Sequence, residues 1–159
     1  MKTIPLSKGK FAQVDDSDFD MLSKFKWFAY DIGNSTYAAR SVLKDGKRTS
    51  IYMHRVILEL SDTSVYCDHI DGDGLNNTRN NLREATPMQN QRNSKSRKNS
   101  SSKFIGVSWD GSRDKWQANI CVNKRLLYLG RFQDEVEAAS RYNIAANMYF
   151  GEFARLNLL

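Results

Sequence analysis

Residues 67–77 read CDHIDGDGLNN, and residues 80–90 read NNLREATPMQN. The apolar residues at 65–70 predict a short strand, and the run of Gly, Asp and Asn that follows predicts a loop. The segment 82–85 predicts a second strand that returns beside the first. These stretches therefore predict a strand, a loop and a second strand in that order.

A helix is predicted directly after the second strand. Thr86 has the features of an N-cap, Pro87 stands at the first helical position, and Gln89 stands at the third. This spacing is that of a capping box with the preferred proline, so we predict that a helix starts at residue 87. Asn90 falls on its first turn.

The side chains of this segment are suited to one kind of chemistry. Asp68 and His69 are neighbours on a strand, so their side chains diverge unless the strand ends or bends there. If it does, Asp68 and Asn90 could hold one hard divalent cation through oxygen ligands. His69 would then be free to take a proton from water, since its ordinary pKa of about 6.5 suits a general base. Such groups suffice to hydrolyse a phosphodiester.

The same residues fit two other kinds of site poorly. An EF-hand loop counted from Asp71 would have Leu75 at position five and Asn76 at position six, so the pattern fails. A zinc hydrolase motif needs a second histidine nearby, and the other histidine is the distant His54. A polar turn with a hydrogen-bonded histidine stays open as the simplest alternative.

Composition limits the classes of protein to which the chain can belong. Its 159 residues are 40% hydrophobic, which allows one or two compact domains. No apolar segment has the length of a membrane span, and we expect no signal peptide. Cys67 and Cys121 form no C-x-x-C pair, so we predict two buried free thiols without zinc or a disulfide.

The positive charge lies mainly in one segment. The net charge is +6, and residues 86–103 hold five basic groups and no acidic one. This segment is rich in Ser and Asn, a composition that predicts a linker. It is either a solvated linker or a strap along a phosphate backbone, and we favour the strap because clustered basic groups release counterions from nucleic acid. Its basic residues are Arg92, Lys95, Arg97, Lys98 and Lys103.

The residues before 65 predict a small β element and a helix. Gly33-Asn34 and Asp45-Gly46 each stand between strand-like runs, which is typical of tight hairpin turns. An apolar stripe at helical spacing comes next and predicts an amphipathic helix. The stripe consists of Met53, Val56, Ile57 and Leu60.

The last third predicts a sheet and a helix. Strands are expected over residues 104–109, over Lys115–Val122 with its clean alternation, and over 125–131. An Ala-rich helix follows over 135–149, and small residues would let it lie close to the sheet. Its inner face is predicted to hold Ala138, Tyr142, Ala145 and Tyr149. A three-stranded antiparallel sheet of this kind can enter a DNA major groove.

Roughly residues 1–95 resemble the HNH endonucleases, and more narrowly the phage and intron-encoded subgroup that lacks zinc. The likeness rests on spaced elements rather than on one short pattern. They are Asp68-His69-Ile70-Asp71-Gly72, Leu75-Asn76-Asn77, Asn81-Leu82-Arg83 and Gln89-Asn90, with Met53-His54-Arg55 and the opening Ile4-Pro5-Leu6 and Lys26-Trp27 upstream.

That resemblance implies a ββα-metal nuclease fold and a role for each motif residue. His69 would be the general base, and Asp68 and Asn90 would bind one Mg²⁺ or Mn²⁺, without zinc. Asn81 would be the middle motif residue and would brace the loop by hydrogen bonds. Asn90 stands where many members have His. For His54 and Arg55 two roles stay open, a structural one at the end of the helix and contact with a DNA phosphate near the cut.

About residues 102–158 resemble the APETALA2/ERF DNA-binding domain. The matching segments are 104–107, Trp116, 129–132, 137–139, 142–146, 150–151 and 154–157. The likeness implies that the sheet contacts DNA through Arg113, Lys115, Asn119 and Tyr128. Ile105 and Ser108 stand where plant members carry base-contacting arginines, so we expect much of the binding to be to phosphate.

Together these observations predict an α+β protein. An HNH endonuclease domain with its N-terminal β element spans 1–93, a basic linker 94–103, and an APETALA2/ERF-like domain 104–159. We predict a homing-type, metal-dependent endonuclease that acts on double-stranded DNA in the cytoplasm of a bacterial host. As a monomer with one active site it would cut one strand of the DNA, leaving a 5′-phosphate and a 3′-hydroxyl at the nick. The alternative is a regulator that binds DNA without cutting.

Overall fold

The chain forms two compact units, Met1–Asn90 and Gln91–Leu159. The computed structural model describes residues 1–93 and 100–159. Each unit has a hydrophobic core of its own. Lys95, Arg97 and Lys98 of the predicted linker lie outside the described residues.

The first unit begins with an antiparallel hairpin and a short helix. These elements are β1 (Lys2–Pro5), β2 (Phe11–Val14) and α1 (Asp16–Leu22). Residues alternate along β2, so Ala12 and Val14 are fully buried while Phe11 faces solvent. Leu22 joins the same core, which extends as far along the sequence as Leu82.

A three-stranded antiparallel meander follows, in the order β3-β4-β5. Its strands are β3 (Phe28–Ile32), β4 (Ser35–Lys44) and β5 (Lys47–Tyr52). Gly33 has a φ of 57°, and Asp45 and Gly46 have φ of 51° and 73°. These positive values are the ones that tight hairpin turns need. Both predicted hairpins are therefore confirmed.

Helix α2 (Met53–Ile57) comes directly after β5 and is shorter than the stripe predicted. Met53 and Ile57 are fully buried, as the stripe requires. Glu59 has a φ of 55°, a left-handed conformation that an α-helix does not continue through. The stripe therefore overestimates the length of the helix, which does not extend to Leu60.

Residues 66–92 form an antiparallel strand pair followed by a helix. These elements are β6 (Tyr66–His69), β7 (Leu82–Ala85) and α3 (Pro87–Arg92). In the register of the pair, Asp68 lies opposite Arg83 and His69 opposite Leu82. The order strand, loop, strand and helix is confirmed. The packing of these elements around a metal, which the ββα-metal fold implies, stays a prediction.

The start of α3 has the predicted capping box. The backbone N–H of Thr86 donates to Oε1 of Gln89 at 2.8 Å, and the N–H of Gln89 donates to Oγ1 of Thr86 at 3.2 Å. Each residue satisfies a donor of the other, which fixes the first turn. Asn90 belongs to that turn, since its N–H donates to the Thr86 carbonyl at 3.0 Å.

The second unit is a three-stranded antiparallel sheet packed on one helix. Its elements are β8 (Val107–Asp110), β9 (Lys115–Val122), β10 (Arg125–Phe132) and α4 (Glu135–Phe150), with β9 in the centre. Strand β8 begins three residues later than predicted because Gly106 has a φ of 74°. A Cβ at Gly106 would collide with the Tyr142 ring, so only glycine fits this close approach.

Small residues let α4 lie on the sheet. Ala138, Tyr142 and Ala145 are buried, as predicted. Tyr149 is 42% exposed, however, and Phe150 is buried in its place. The prediction for Tyr149 is wrong because the buried face shifts by one residue at the end of the helix. The N-cap is Asp134, whose Oδ1 accepts from the N–H of Glu137 at 2.9 Å.

At the level of fold class, the structure is α+β with small antiparallel sheets, as predicted. None of the helices in the described segments is long and apolar enough to cross a membrane. Both cysteines are free. Cys67 is half-buried, but Cys121 is exposed, so the prediction of two buried thiols is wrong for Cys121. Cys121 lies on the face of β9 opposite the buried Ala118 and Ile120.

The two thiols should therefore differ in reactivity. Burial, and next the charge of Asp68, raise the pKa of Cys67 to about 12. Because only the thiolate reacts, iodoacetamide at pH 8 should alkylate Cys67 more than about 100-fold more slowly than Cys121. Mass spectrometry of quenched samples measures both rates. In the Cys121→Ser variant, Cys67 should still react slowly. Equal rates for the two thiols of the native chain would contradict the raised pKa of the half-buried Cys67.

Candidate active site

His69 is the last residue of β6, and its imidazole is buried among other rings. The residue is 5% exposed. The His54 ring meets it edge-on with centroids 5.1 Å apart, and the Tyr37 ring lies 5.8 Å away. β6 ends at His69, and both residues are still paired with β7, Asp68 with Arg83 and His69 with Leu82. Convergence of their side chains on one site stays a prediction, since neighbouring side chains of a strand leave on opposite faces. Both residues are buried.

Two tyrosines complete this group of rings. Tyr52 stacks on His54 with centroids 5.4 Å apart and planes 8° apart, and Tyr37 lies 5.7 Å from His54. We call Tyr37, Tyr52, His54 and His69 the ring cluster. Sequence reasoning missed both tyrosines because they lie on β4 and at the end of β5, far from the motif. Only the pairing of distant strands brings them to His69.

Asn81 holds the ends of the loop between β6 and β7 together. Its Nδ2 donates to Oδ1 of Asp71 at 2.9 Å and to the Asn76 carbonyl at 2.8 Å. Its Oδ1 accepts from the N–H of Asp71 at 3.0 Å, and its carbonyl accepts from the N–H of Ile70 at 2.9 Å. These bonds are what a brace of the loop requires. A role for Asn81 in the reaction stays a prediction.

The aspartates of the loop form turns. Oδ1 of Asp71 accepts from the N–H of Asp73 at 2.8 Å, and Oδ1 of Asp73 accepts from the N–H of Leu75 at 3.0 Å. Burial raises the pKa of Asp71, but hydrogen bonds from Asp73, Asn76 and Asn81 outweigh it and lower the pKa overall. Asp71 and Asp73 are therefore loop-forming residues.

The loop is also attached to the N-terminal elements. The N–H of Gln13 donates to the Leu75 carbonyl, and the N–H of Asn77 donates to the Gln13 carbonyl, both at 2.8 Å. Arg79 contacts Asp18 with two hydrogen bonds, Nε to Oδ2 at 2.9 Å and the second guanidinium nitrogen to Oδ1 at 2.7 Å. These contacts explain why the N-terminal β element belongs to the same unit as the motif.

Asp68 forms an ion pair with Arg83 across the strand pair. Oδ2 of Asp68 accepts from Nε of Arg83 at 2.8 Å and from a terminal guanidinium nitrogen at 2.6 Å. The two side chains are 4% and 14% exposed. Sequence reasoning missed Arg83 as a partner, although the register of β6 and β7 places it opposite Asp68.

Arg55 contacts backbone rather than solvent. Its guanidinium donates to the carbonyls of Val65 at 2.8 Å and Leu60 at 3.1 Å, and to that of Asp62. These bonds fasten the segment between α2 and β6, which favours the structural role left open for Arg55. His54 is buried at 8% exposure, within the ring cluster. Of the two roles left open for it, this position also favours the structural one.

Burial lowers the pKa of both histidines. For His69, burial outweighs the side chain of Asn77 and the charge of Asp71, which act in the opposite direction. For His54, burial, then the neighbouring His69 and Arg55, lower the pKa to about 3. No described residue pairs with Nδ1 of His54 by a hydrogen bond. His54 is therefore neutral across the physiological range.

A buried neutral His54 makes stability depend on pH. Its pKa in the folded chain is about 3, and in the unfolded chain about 6.5. The unfolded state therefore binds the proton first as pH falls, so stability is lost below pH 6.5. Between pH 7 and pH 4.5 the native chain should lose about 2.5 kcal/mol more than His54→Phe, which keeps a ring but cannot titrate.

This comparison needs a probe of the first unit alone. Trp27 is buried there, and Trp109→Phe with Trp116→Phe removes the two tryptophans of the second unit. Urea unfolding of this Trp27 reporter background, followed by fluorescence, gives the free energy of unfolding at each pH. Parallel pH profiles for the reporter chain and its His54→Phe derivative would contradict the assignment of a buried neutral imidazole.

Asp68 and Asn90 are the residues predicted to hold a hard cation. No group of three or more His, Cys, Asp or Glu side chains within residues 1–93 and 100–159 could hold a metal ion. A cation bound by Asp68 would therefore need amide, water or phosphate oxygens as its other ligands, which Mg²⁺ commonly takes. The carboxylate of Asp68 and the amide of Asn90 are oxygen donors of this type. Asn90 is half-buried on α3, and its approach to Asp68 stays a prediction.

The residues predicted to contact DNA in the second unit lie mainly on one face of the sheet. Asn119 on β9 pairs directly with Tyr128 on β10, and Tyr128 is 54% exposed. This face is opposite the buried Ala118 and Ile120, which pack beneath α4. Lys115 begins β9, and Arg113 precedes it in the turn after β8. The structure thus brings Asn119 and Tyr128 together.

Arg131 is a basic residue of this face that sequence reasoning missed. Its Nε donates to Oδ2 of Asp110 at 2.9 Å, and a terminal nitrogen donates to the Tyr128 hydroxyl at 3.1 Å. Hydrogen bonds from the side chains of Ser112 and Arg131 lower the pKa of Asp110 to about 2. Arg113 also contacts Asp110, at 3.3 Å.

Two described residues of the basic segment lie beside rings. The Arg92 guanidinium is 4.8 Å from the Phe150 ring centroid, and Nζ of Lys103 is 4.9 Å from that of Phe104. Contact of either residue with DNA stays a prediction.

Comparison with known proteins gives the family. The chain is 37% identical over 155 residues to a protein named uncharacterized HNH endonuclease L560, from Acanthamoeba polyphaga mimivirus, and the match covers 94% of this chain and 76% of the relative. The chain belongs to the HNH endonuclease family. Protein 3.8 of Escherichia phage T7 is 33% identical over 90 residues, which cover 57% of this chain and 74% of that protein. No protein-family model matches the sequence.

Membership in the HNH endonuclease family confirms that part of the resemblance. The match with the mimivirus relative extends well beyond residues 1–95, so it includes much of the second unit. The likeness of that unit to the APETALA2/ERF domain stays a prediction, as do the roles assigned to Asp68, His69, Asn81 and Asn90.

Proposed function

We propose that this HNH endonuclease hydrolyses phosphodiester bonds of double-stranded DNA, with His69 as general base and one Mg²⁺ or Mn²⁺ ion. The observation that carries the proposal is the position of His69, buried at the end of β6 beside Asp68, in a chain similar over most of its length to an HNH endonuclease. A homing-type enzyme that nicks one strand as a monomer is the form of this activity that we expect.

His69 has the properties of a base at neutral pH. Burial lowers its pKa, so the imidazole is neutral and able to accept a proton. Its ring is confined by His54 and Tyr37, which limits its freedom to rotate. His69 would take a proton from a water molecule, and that water would attack the phosphorus. The bond from phosphorus to the 3′ oxygen then breaks, and the departing oxygen takes a proton from solvent, which leaves a 5′-phosphate and a 3′-hydroxyl.

Asp68 and Asn90 are the residues that would hold the cation. When bound, Mg²⁺ or Mn²⁺ supplies Lewis-acid stabilisation of negative charge on the leaving oxygen. Oδ2 of Asp68 accepts from Arg83, so the ion pair and the cation would share one carboxylate. Asn81 would hold the loop that follows His69 in place during the reaction.

The second unit would position the enzyme on its substrate. The face of the sheet that carries Asn119 and Tyr128 is turned away from α4, with Arg113 and Lys115 at its end. An antiparallel sheet of this size fits a major groove. Contacts from Lys and Arg to phosphate would fix orientation and carry little information about sequence.

A plasmid-cleavage assay tests this function. The purified chain should convert supercoiled plasmid carrying the DNA that flanks its coding region into the nicked form in Mg²⁺ or Mn²⁺, and not in EDTA. Ligation of the nicks without prior phosphorylation checks for the 5′-phosphate and 3′-hydroxyl. A chain that binds this DNA tightly but never cuts it with either cation would instead support the regulator without nuclease activity.

The basic segment should make DNA binding depend on salt. Replacing Arg92, Lys95, Arg97 and Lys98 with Gln removes four charges, so the slope of log affinity against log salt should fall by up to about 3.6. The preferred DNA sequence should not change, because phosphate contacts carry little sequence information. Fluorescence anisotropy at several salt concentrations measures the slope. A slope that does not change would contradict the prediction that this segment lies along the phosphate backbone of DNA.

A further inference from the structure

Tyr37 and Gly74 form a tight contact beside the ring cluster. Gly74 lies in the loop after His69, and it is buried against β4. A Cβ built on Gly74 would lie 2.6 Å from Cδ1 and 2.7 Å from Cε1 of Tyr37, and it would collide with the Thr36 carbonyl. Real Cβ atoms do not approach other atoms so closely, so any larger residue at 74 must displace the loop or the strand.

The same tyrosine touches the proposed base. The Tyr37 ring lies 5.8 Å from the His69 ring and 5.7 Å from the His54 ring. Tyr37 therefore contacts the loop through Gly74 on the one hand and the His69 imidazole on the other. The loop is held independently at Leu75 and Asn77 by β2. The loop therefore lies close against Tyr37 on one side, and the Tyr37 ring lies beside the His69 ring on the other.

We infer that Tyr37 is a positioning residue for His69, and that Gly74 is required because it lets the loop close onto the Tyr37 ring. The inference rests on the proposed function, in which His69 is the base. Displacement of a reacting group by about 1 Å can reduce a rate by about 100-fold. Tyr37 would act through the shape of its ring, without touching substrate.

The variant Tyr37→Leu removes the ring and tests this inference. We expect the single-turnover cleavage rate to fall about 10- to 100-fold, with DNA affinity changed less than about threefold. Tyr37→Phe keeps the ring and should restore the rate to within about threefold. Tyr30→Leu is the matched control. Tyr30 pairs with Tyr37 across β3 and β4 and contacts Tyr52 with ring centroids 6.0 Å apart, but it is not one of the four residues of the ring cluster. The same truncation at this position should therefore leave the cleavage rate within about threefold of the native value.

Magnetic resonance supplies a readout that does not need activity. The chain has two histidines, so histidine-labelled protein gives two sets of ring signals. The native chain should show nuclear Overhauser effects between the Tyr37 and His69 rings. The His69 signals should move in Tyr37→Leu and in Gly74→Ala, but not in Tyr30→Leu. If Tyr37→Leu does not fold, Gly74→Ala and the native spectrum carry the test.

The outcomes separate this inference from the proposed function. A native chain that never cuts DNA ends the proposed function, whereas the spectra still test the contact. A folded Tyr37→Leu that cuts at the native rate overturns the inference, as does a native chain without the Tyr37–His69 effects. A Tyr37→Phe variant as slow as Tyr37→Leu also overturns it, since the hydroxyl rather than the ring would then be responsible.

Discussion

Replacing His69 with Ala is expected to lower the single-turnover rate of DNA cleavage by about 1000-fold, because a general base contributes about 10²- to 10⁴-fold. Affinity for DNA should stay within about threefold of the native value, since the proposed binding surfaces lie elsewhere. Gel analysis of plasmid cleavage at saturating enzyme and cation measures the rate, and fluorescence anisotropy in EDTA measures affinity.

The other histidine of the chain supplies the control. His54 stacks on Tyr52 and is buried, so His54→Phe preserves a ring in the same place. We expect His54→Phe to cut within about tenfold of the native rate at pH 7.5. If His69→Ala cuts normally, or if both variants lose activity equally, His69 is not the base that distinguishes the site.

Breaking the pair of Asp68 and Arg83 is expected to have the largest effect on stability. The variant Arg83→Met leaves a buried carboxylate without its guanidinium partner, and removal of one member of a buried ion pair costs about 3–5 kcal/mol. The two side chains are 4% and 14% exposed, so solvent screens the interaction only weakly. Urea unfolding of the Trp27 reporter background in EDTA measures the loss.

Two further variants decide whether the loss comes from this pair. Asp68→Asn combined with Arg83→Met removes both charges, so no unpaired buried carboxylate is left, and most of the lost stability should be recovered. Together with the two single variants it completes a double-mutant cycle, which measures the coupling between Asp68 and Arg83. Lys8→Met breaks an exposed pair with Asp31 in the same unit and should change stability within experimental error. An Arg83→Met chain as stable as the native one would contradict the buried pair.

Local patterns in the sequence predicted much of the fold because the forces behind them are local. The hairpins at Gly33 and at Asp45-Gly46 follow from backbone conformations that these residues tolerate. The start of α3 follows from the reciprocal bonds of Thr86 and Gln89. Each of these depends on residues no more than a few positions apart.

The parts that were missed depend on long-range packing. Tyr37 meets His69 only because the meander and the β6–β7 pair share one core, which no short pattern encodes. The exposure of Tyr149 depends on where α4 leaves the sheet, and that of Cys121 on which face of β9 the helix covers. Pairing of Asp68 with Arg83 depends on the register across a 12-residue loop from 70 to 81.

The residues of the candidate site stay a prediction from the sequence, and their surroundings were not predicted at all. The motif pointed to His69 and Asp68, and the HNH endonuclease family of the chain agrees with that motif. The burial that keeps His69 neutral and the rings that confine it came only with the tertiary structure. The pKa and the surroundings of the proposed base therefore depend on residues of distant strands.

The Mg²⁺ dependence of cleavage tests the proposed active site most directly. The single-turnover rate should be measured over a Mg²⁺ titration for the native chain, Asp68→Asn and Asn90→Ala. We predict that each variant needs at least about tenfold more Mg²⁺ for half of its maximal rate, since even indirect partners of a metal ligand change affinity by about 10- to 100-fold. Titration curves that coincide with the native one would contradict a cation held by Asp68 and Asn90.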